Sequence, residues 1–301
     1  MSLADRLALV VLGALWGGGF LFVRIAVPEF GPFALVDLRV LIAGALLLAW
    51  SAVRRDIPSF WRRWREYAVL GALNVAIPFC LAAWAVLTVP ASLAAIVMAT
   101  IPLFTAPLAA IRLRKPPTPR QIAGLCVGFA GVALLVGLGP MEVTSAFLTA
   151  VCALLAAAFC YAIAGIYAAR RFTGVSPVES SIGQQLATFG LLLPFAAATW
   201  PDALPSARSI GALLILAIFG TVIAYMLFFR LISSVGPTDT ATVAYLIPLF
   251  GTAWGVVLLQ EPVSGATFAG MGLILAGVLL VTGSRPRGRK PVPAPRTTAA
   301  D

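Results

Sequence analysis

The sequence of 301 residues has no histidine, only eleven acidic residues, and four cysteines. Without histidine the chain lacks the side chain that most often moves protons or binds metals near neutral pH. Charged residues are 11% of the whole, against about a quarter in a soluble domain, so a globule of this composition could not cover itself with a wetted surface. Cys80, Cys126, Cys152 and Cys160 all fall inside apolar runs. Their spacing suits neither a disulfide framework nor a metal site, and they read as small buried hydrophobes. No two carboxylates sit at matching depth in apolar stretches, so an intramembrane enzyme lacks its proton-transfer or metal constellation. No cofactor is expected.

What is abundant is apolar: 61% of residues are hydrophobic and the mean hydropathy is +1.01. Crossing a bilayer as a helix takes about 20 such residues. Ten stretches qualify, near 7–27, 33–53, 67–87, 91–111, 121–139, 147–169, 178–199, 209–232, 237–259 and 264–284. Gly31-Pro32, Pro116-Pro117, Ser176-Pro177, Gly236-Pro237 and charge clusters punctuate them. The first run is too long for a signal-peptide core and has no small-residue cleavage site after it. The expected fold class is therefore an all-α integral membrane protein with ten transmembrane helices.

The net charge of +10 does not imply nucleic acid, because the cations form short clusters between spans. With the N-terminus placed in the cytoplasm, 18 of the 21 Lys and Arg fall on the cytoplasmic side, only Arg208 falls in an outside loop, and Arg24 and Arg39 fall within spans. This bias predicts cytoplasmic termini. The Pro- and cation-rich tail 285–301 reads as disordered.

Residues 95–137 align without a gap on 241–283, an offset of 146, with 15 of 43 positions identical. The matches include Ile101-Pro102-Leu103-Phe104 over Ile247-Pro248-Leu249-Phe250, Gly124 over Gly270, and Gly131-Val132 over Gly277-Val278. The chain thus divides into a first five-helix repeat (1–139), an external linker (140–146), a second five-helix repeat (147–284) and the tail. Five is odd, so the second repeat must cross the membrane in the opposite sense. Inverted repeats of this kind give alternating access a structural basis.

Ala14-Leu15-Trp16-Gly17-Gly18-Gly19-Phe20-Leu21-Phe22-Val23-Arg24, then Pro32, Leu35 and Leu38-Arg39, then Ala91, Ala94-Ala95 and Pro102, and finally Glu261, Gly270 and Gly277-Val278, occur in an order that resembles the EamA-type branch of the drug/metabolite transporter superfamily. The resemblance covers about 7–284. It implies ten helices, inverted repeats, a bacterial inner (plasma) membrane location, and movement of small metabolites, often export of amino acids or related compounds. Lys115 departs from the pattern, standing where that family commonly has an acid in the first repeat.

Several residues could carry transport. Pro102 and Pro248 occupy equivalent mid-span positions and would free the carbonyls of Met98 and Ala244; Pro78 would do the same for Asn74. Such breaks either line a site and gate it or only shape packing. Trp16 and Phe20, four apart, share one face of the first span and could wall an apolar cavity. Tyr161, Tyr225 and Tyr245 lie at interior depth, where a hydroxyl needs a partner or a cavity; Gln184 and Gln185 pose the same question. Arg24, Asp37 and Arg39 suit a structural ion cluster centred on Asp37, with an outer gate or a coupling site as the functional alternative. The expected partners are a small-molecule substrate and the lipid bilayer. The leading function is a secondary transporter that exports a small organic metabolite by alternating access. The lack of deep clustered charges points to a neutral, zwitterionic or modestly hydrophobic substrate such as an amino acid or drug-like amphiphile. A non-transporting or lipid-handling membrane protein is the alternative.

Overall fold

A computed structural model of the chain describes residues 1–55, 60–114 and 116–283. Lys115 and the tail expected to be disordered lie outside the described residues. The described chain is all helix, without strands. Among the described residues eight helices are long and apolar enough to cross a membrane: α1 (Leu3–Val53), α2 (Trp64–Ala85), α3 (Ala91–Leu113), α4 (Pro119–Leu138), α5 (Ser145–Arg171), α6 (Pro177–Ala198), α7 (Ala207–Gly236) and α9 (Gly265–Thr282). Between the last two lies a shorter apolar helix, α8 (Val243–Leu259).

Helix α1 differs from the expectation of two separate spans. Its 51 residues amount to about 77 Å, more than twice a hydrocarbon core of about 30 Å. It is two arms joined at Gly31, whose φ of 70° is non-helical. Only glycine enters that region cheaply, and Pro32 then suits the first turn of the second arm, where its missing N–H is no loss. Gly236, with φ 86°, breaks the end of α7 in the same way.

Other local features recur at the 146-residue offset of the sequence match. Helix α3 ends on Arg114 and α8 on Gln260, both in the left-handed conformation. Thr118 and Ser264 each cap the following helix with a reciprocal capping box. Two π-type turns interrupt spans, Ala72–Ala76 in α2 and Ile218–Ile223 in α7. In the first, the Ile77 N–H donates to the Ala72 carbonyl, five residues back, and the widened turn leads into Pro78. The fourth span departs from this matching. It is interrupted at Ala99–Thr100, so that Pro102 sits in the opening turn of a new helical segment, Ile101–Leu113. The interruption ahead of Pro248 lies earlier, at 241–242, and Pro248 is inside α8.

Lipid tails are as apolar as leucine, so close contact between small residues takes over the role that water exclusion plays elsewhere. Helices α4 and α9 are an example. A Cβ on Gly124 would stand 2.7 Å from the Gly277 carbonyl oxygen, and one on Gly131 would stand 2.7 Å from that of Gly270. Since Gly124 matches Gly270 and Gly131 matches Gly277, the contact is reciprocal and antiparallel. Gly17 likewise lets α1 approach the Ile247 carbonyl and Gly251 of α8, whereas Gly19 has open space beside it. The cysteines are less enclosed than expected. Cys126 and Cys152 are exposed on the bundle exterior, and Cys80 and Cys160 are partly covered; a thiol is apolar enough to face lipid.

Candidate functional site

The second arm of α1 carries Arg39 into the middle of the bundle. Its Nε donates to the Thr221 hydroxyl at 3.1 Å. Thr221 is the fifteenth residue of the 30-residue helix α7 and lies in its π-type turn, where its own hydroxyl donates to the Leu216 carbonyl five residues back. The guanidinium stacks over the Phe79 ring, 4.3 Å from the centroid, a cation–π contact. Tyr161 and Tyr225 stand close enough to act electrostatically on it. Arg39 is surrounded by protein and still keeps accessible surface, as expected of a side chain lining an internal space.

Polar and aromatic groups extend from this centre. Asn74, in the π-type turn of α2, donates its amide N–H to Gln184 Oε1 at 2.8 Å. Gln184 lies within hydrogen-bonding reach of the Tyr225 hydroxyl. Trp16 meets Tyr225 edge-on with ring centres 6.3 Å apart, and Phe228 at 5.4 Å. Tyr161 lies 6.4 Å from Phe79, ring to ring. Of the residues singled out from sequence, the structure therefore brings together Trp16, Arg39, Asn74, Tyr161, Gln184 and Tyr225, with Pro78 next to Phe79.

The remaining candidates are placed elsewhere. Met98 is buried in the main apolar core, and Phe20 packs against it. Tyr245 packs on Leu103, Val278 and Val281, and its hydroxyl lies 2.9 Å from that of Thr282. Pro248 is buried within α8. The ion cluster expected around Asp37 does not form. Asp37 is 3% exposed and its Oδ1 has no hydrogen-bond partner. Two residues apart on one helix, Asp37 and Arg39 point to nearly opposite faces.

Arg24 instead joins a partly buried tie between distant parts of the chain. It lies 3.8 Å from Glu261 Oε1 and donates to the carbonyls of Val86 and Val89. Glu261, 8% exposed, accepts from the Ala91 N–H at 2.6 Å and the Ser92 N–H at 2.9 Å. It thus caps the first turn of α3 from 170 residues away, where unpaired amides and the helix dipole favour a carboxylate.

Two recesses border the bundle. A polar vestibule of about 690 Å³ is lined by Arg62, Arg63, Glu66, Arg170, Arg171 and Glu179. The Tyr67 hydroxyl donates to Glu179 at 2.7 Å beside it. An apolar recess of about 220 Å³ lies between the first arm of α1, the π-type turn of α7 and Trp254.

Sequence reasoning missed Phe79 and Thr221, and it placed Arg39 at a gate. Thr221 carried a usable signal as the single polar side chain in the apolar segment 218–223. Phe79 carried none among 18 phenylalanines.

Comparison with known proteins agrees along the chain. The uncharacterized inner membrane transporter YedA of Escherichia coli K12 is 30% identical over 96% of this chain and 94% of its own length. A Salmonella typhimurium protein named as a probable amino-acid metabolite efflux pump is 25% identical over 93% of this chain and 95% of its own. A crystal structure of another protein shares the fold, with a TM-score of 0.64 at 22% identity over 94% of this chain and 97% of that one. The model of the EamA-like transporter family matches twice, over residues 6–137 and 148–283. The chain is a multi-pass membrane transporter and belongs to the EamA-like transporter family.

Proposed function

We propose that this protein is a ten-helix secondary transporter, in the bacterial inner membrane, that exports a small organic metabolite by alternating access. The observation that carries this reading is the mid-bundle group of Arg39, Asn74, Phe79, Tyr161, Gln184, Thr221, Tyr225 and Trp16. Polar groups are costly at that depth unless a cavity or a ligand uses them. Two of them, Asn74 and Thr221, come from π-type turns 146 residues apart, and such turns collect at functional sites.

The count of ten takes the two arms of α1 as separate crossings, with α8 completing the second set after the break at Gly236. The reciprocal glycine contact between α4 and α9 supports an inverted pair, because a two-fold relation requires each position to meet the other's equivalent. One end of the proposed pathway is tied shut by Arg24, Glu261 and the start of α3, and the cation-lined vestibule lies among the segments expected in the cytoplasm. This arrangement suits an inward-facing state. The names of the Salmonella and E. coli relatives favour export and the inner membrane.

The test is counterflow. Proteoliposomes holding purified protein and unlabelled amino acids should take up the matching labelled compound faster than protein-free vesicles, and overexpressing cells should accumulate that compound in the medium. No protein-dependent flux of any compound in a broad panel would sink the transport reading.

A further inference from the structure

Arg39 is poorly compensated. A guanidinium has five N–H donors, and here one goes to Thr221. Among the described residues the four N–H groups of the terminal nitrogens form no hydrogen bond, and no carboxylate lies within ion-pair distance. The groups that face it are Thr221, Phe79, Tyr161 and Tyr225, all without formal charge at neutral pH. The Phe79 face and the Thr221 hydroxyl offset part of the cost of placing a cation at this depth, but a charge held there without an opposite charge remains expensive. A planar fork with free N–H groups matches a carboxylate in two-point geometry.

The vestibule is an independent observation. Four arginines line it against two glutamates, an excess of two positive charges. A recess of one sign concentrates small ions of the other. The rings of Phe79, Tyr161 and Tyr225 near the guanidinium, with Trp16 edge-on to Tyr225, suit an apolar or aromatic body. One cation matches a monoanion; a doubly charged phosphate would be left half neutralised.

We infer that the transported molecule is an organic monocarboxylate with an apolar or aromatic body, and that its carboxylate docks on the free N–H groups of Arg39. This rests on the transport reading and specifies the chemistry at the same site. The vestibule draws the anion in, Arg39 takes the carboxylate, and the Tyr161 and Tyr225 hydroxyls stand beside it.

The experiment uses the full chain in lipid nanodiscs with three probes sharing one ring: N-acetylphenylalanine (anion), N-acetylphenylalaninamide (neutral) and phenethylamine (cation). Binding is read from tryptophan fluorescence and from the thermal unfolding midpoint. The acid is expected to bind about tenfold or more tightly than the amide, since a hydrogen bond to a charged group is lost with the amide. The amine is expected to bind most weakly. The acid preference should vanish in Arg39→Gln and survive in part in Arg39→Lys, which keeps charge without the fork. Equal binding of acid and amide, no binding of the acid, or an acid preference that persists in Arg39→Gln would overturn the inference. If Arg39→Gln fails to fold, Arg39→Lys takes its place, and an undiminished acid preference there would overturn the inference. Counterflow of the same probes separates the two readings. Flux without acid preference removes the carboxylate site and leaves a transporter, whereas acid-selective binding without flux of any compound leaves the site and removes transport.

Discussion

Gly124 and Gly277 lie backbone against backbone. A Cβ on the first would stand 2.7 Å from the carbonyl oxygen of the second, and a Cβ on the second 2.6 Å from that of the first. Neither position has room for a side chain, and rigid backbone cannot yield as a flexible side chain can.

Gly124→Val and Gly277→Val are therefore each expected to destabilise the protein by about 1–3 kcal/mol through overpacking, lowering the unfolding midpoint in detergent. Gly272→Ala, on the same helix with open space beside it, should leave the midpoint unchanged or raise it slightly. Equal midpoints for Gly277→Val and Gly272→Ala would remove the close contact.

The tie through Glu261 predicts a local effect. Glu261→Ala leaves the Ala91 and Ser92 amides unpaired and Arg24 without its anion, at a cost of about 1–3 kcal/mol. Val89, fully buried, should become reactive when replaced by cysteine in a background lacking the native four. Faster labelling of Val89→Cys by an impermeant thiol reagent in Glu261→Ala than in the parent is the expected result. Unchanged labelling would mean that the tie does not hold this end closed.

Trp16→Ala removes ring contacts with Tyr225 and Phe228. Contacts of this kind are worth about 1–3 kcal/mol, so the apparent affinity in counterflow should weaken about tenfold or more at equal expression. Tyr245→Phe removes a single hydroxyl contact with Thr282 and is expected to cost about 1 kcal/mol of stability while leaving affinity unchanged. The reverse ranking would move the site toward α8.

Orientation can be read with two cysteines. Thr173→Cys and Ser145→Cys are both at exposed positions. In intact cells the impermeant reagent should label residue 145 and spare residue 173, which should react only after permeabilisation. Labelling of 173 from outside would invert the topology.

Proton coupling is tested at Asp37. With no histidine in the chain, net flux is expected to follow the substrate gradient. Vesicles given a pH gradient and equal substrate on both sides should show no accumulation. Accumulation that collapses with a protonophore and is lost in Asp37→Asn would make this buried carboxylate the coupling group.

Much of the architecture was legible in the sequence because bilayer thickness imposes a length on every crossing and the cost of exposed backbone imposes helix. The 146-residue offset found from Ile101-Pro102-Leu103-Phe104 also relates features outside the aligned block that only the structure revealed, namely the paired π-type turns at 72 and 218. Most of the residues of the candidate site were singled out as well, since Asn74, Gln184, Tyr161, Tyr225 and Arg39 are polar groups in apolar spans and such groups must find partners, and Trp16 marked an aromatic face of the first span.

Partner choice was not legible, because it depends on which helices lie side by side. Arg24, Asp37 and Arg39 are near in sequence and of opposite charge, so an ion cluster looked natural. The break at Gly31 separates the two arms, and tertiary packing then sends Arg24 to Glu261, 237 residues away, and Arg39 to Thr221, 182 residues away. Asp37 is left with an unpaired oxygen. Sequence alone determined that the chain is helical and membrane-embedded, that Gly31 and Gly236 break it and that the pattern is doubled, because those follow from local hydrophobicity and backbone chemistry. The tertiary structure decided which polar groups meet at mid-depth, because in a medium without water each must take whatever partner the neighbouring helix presents.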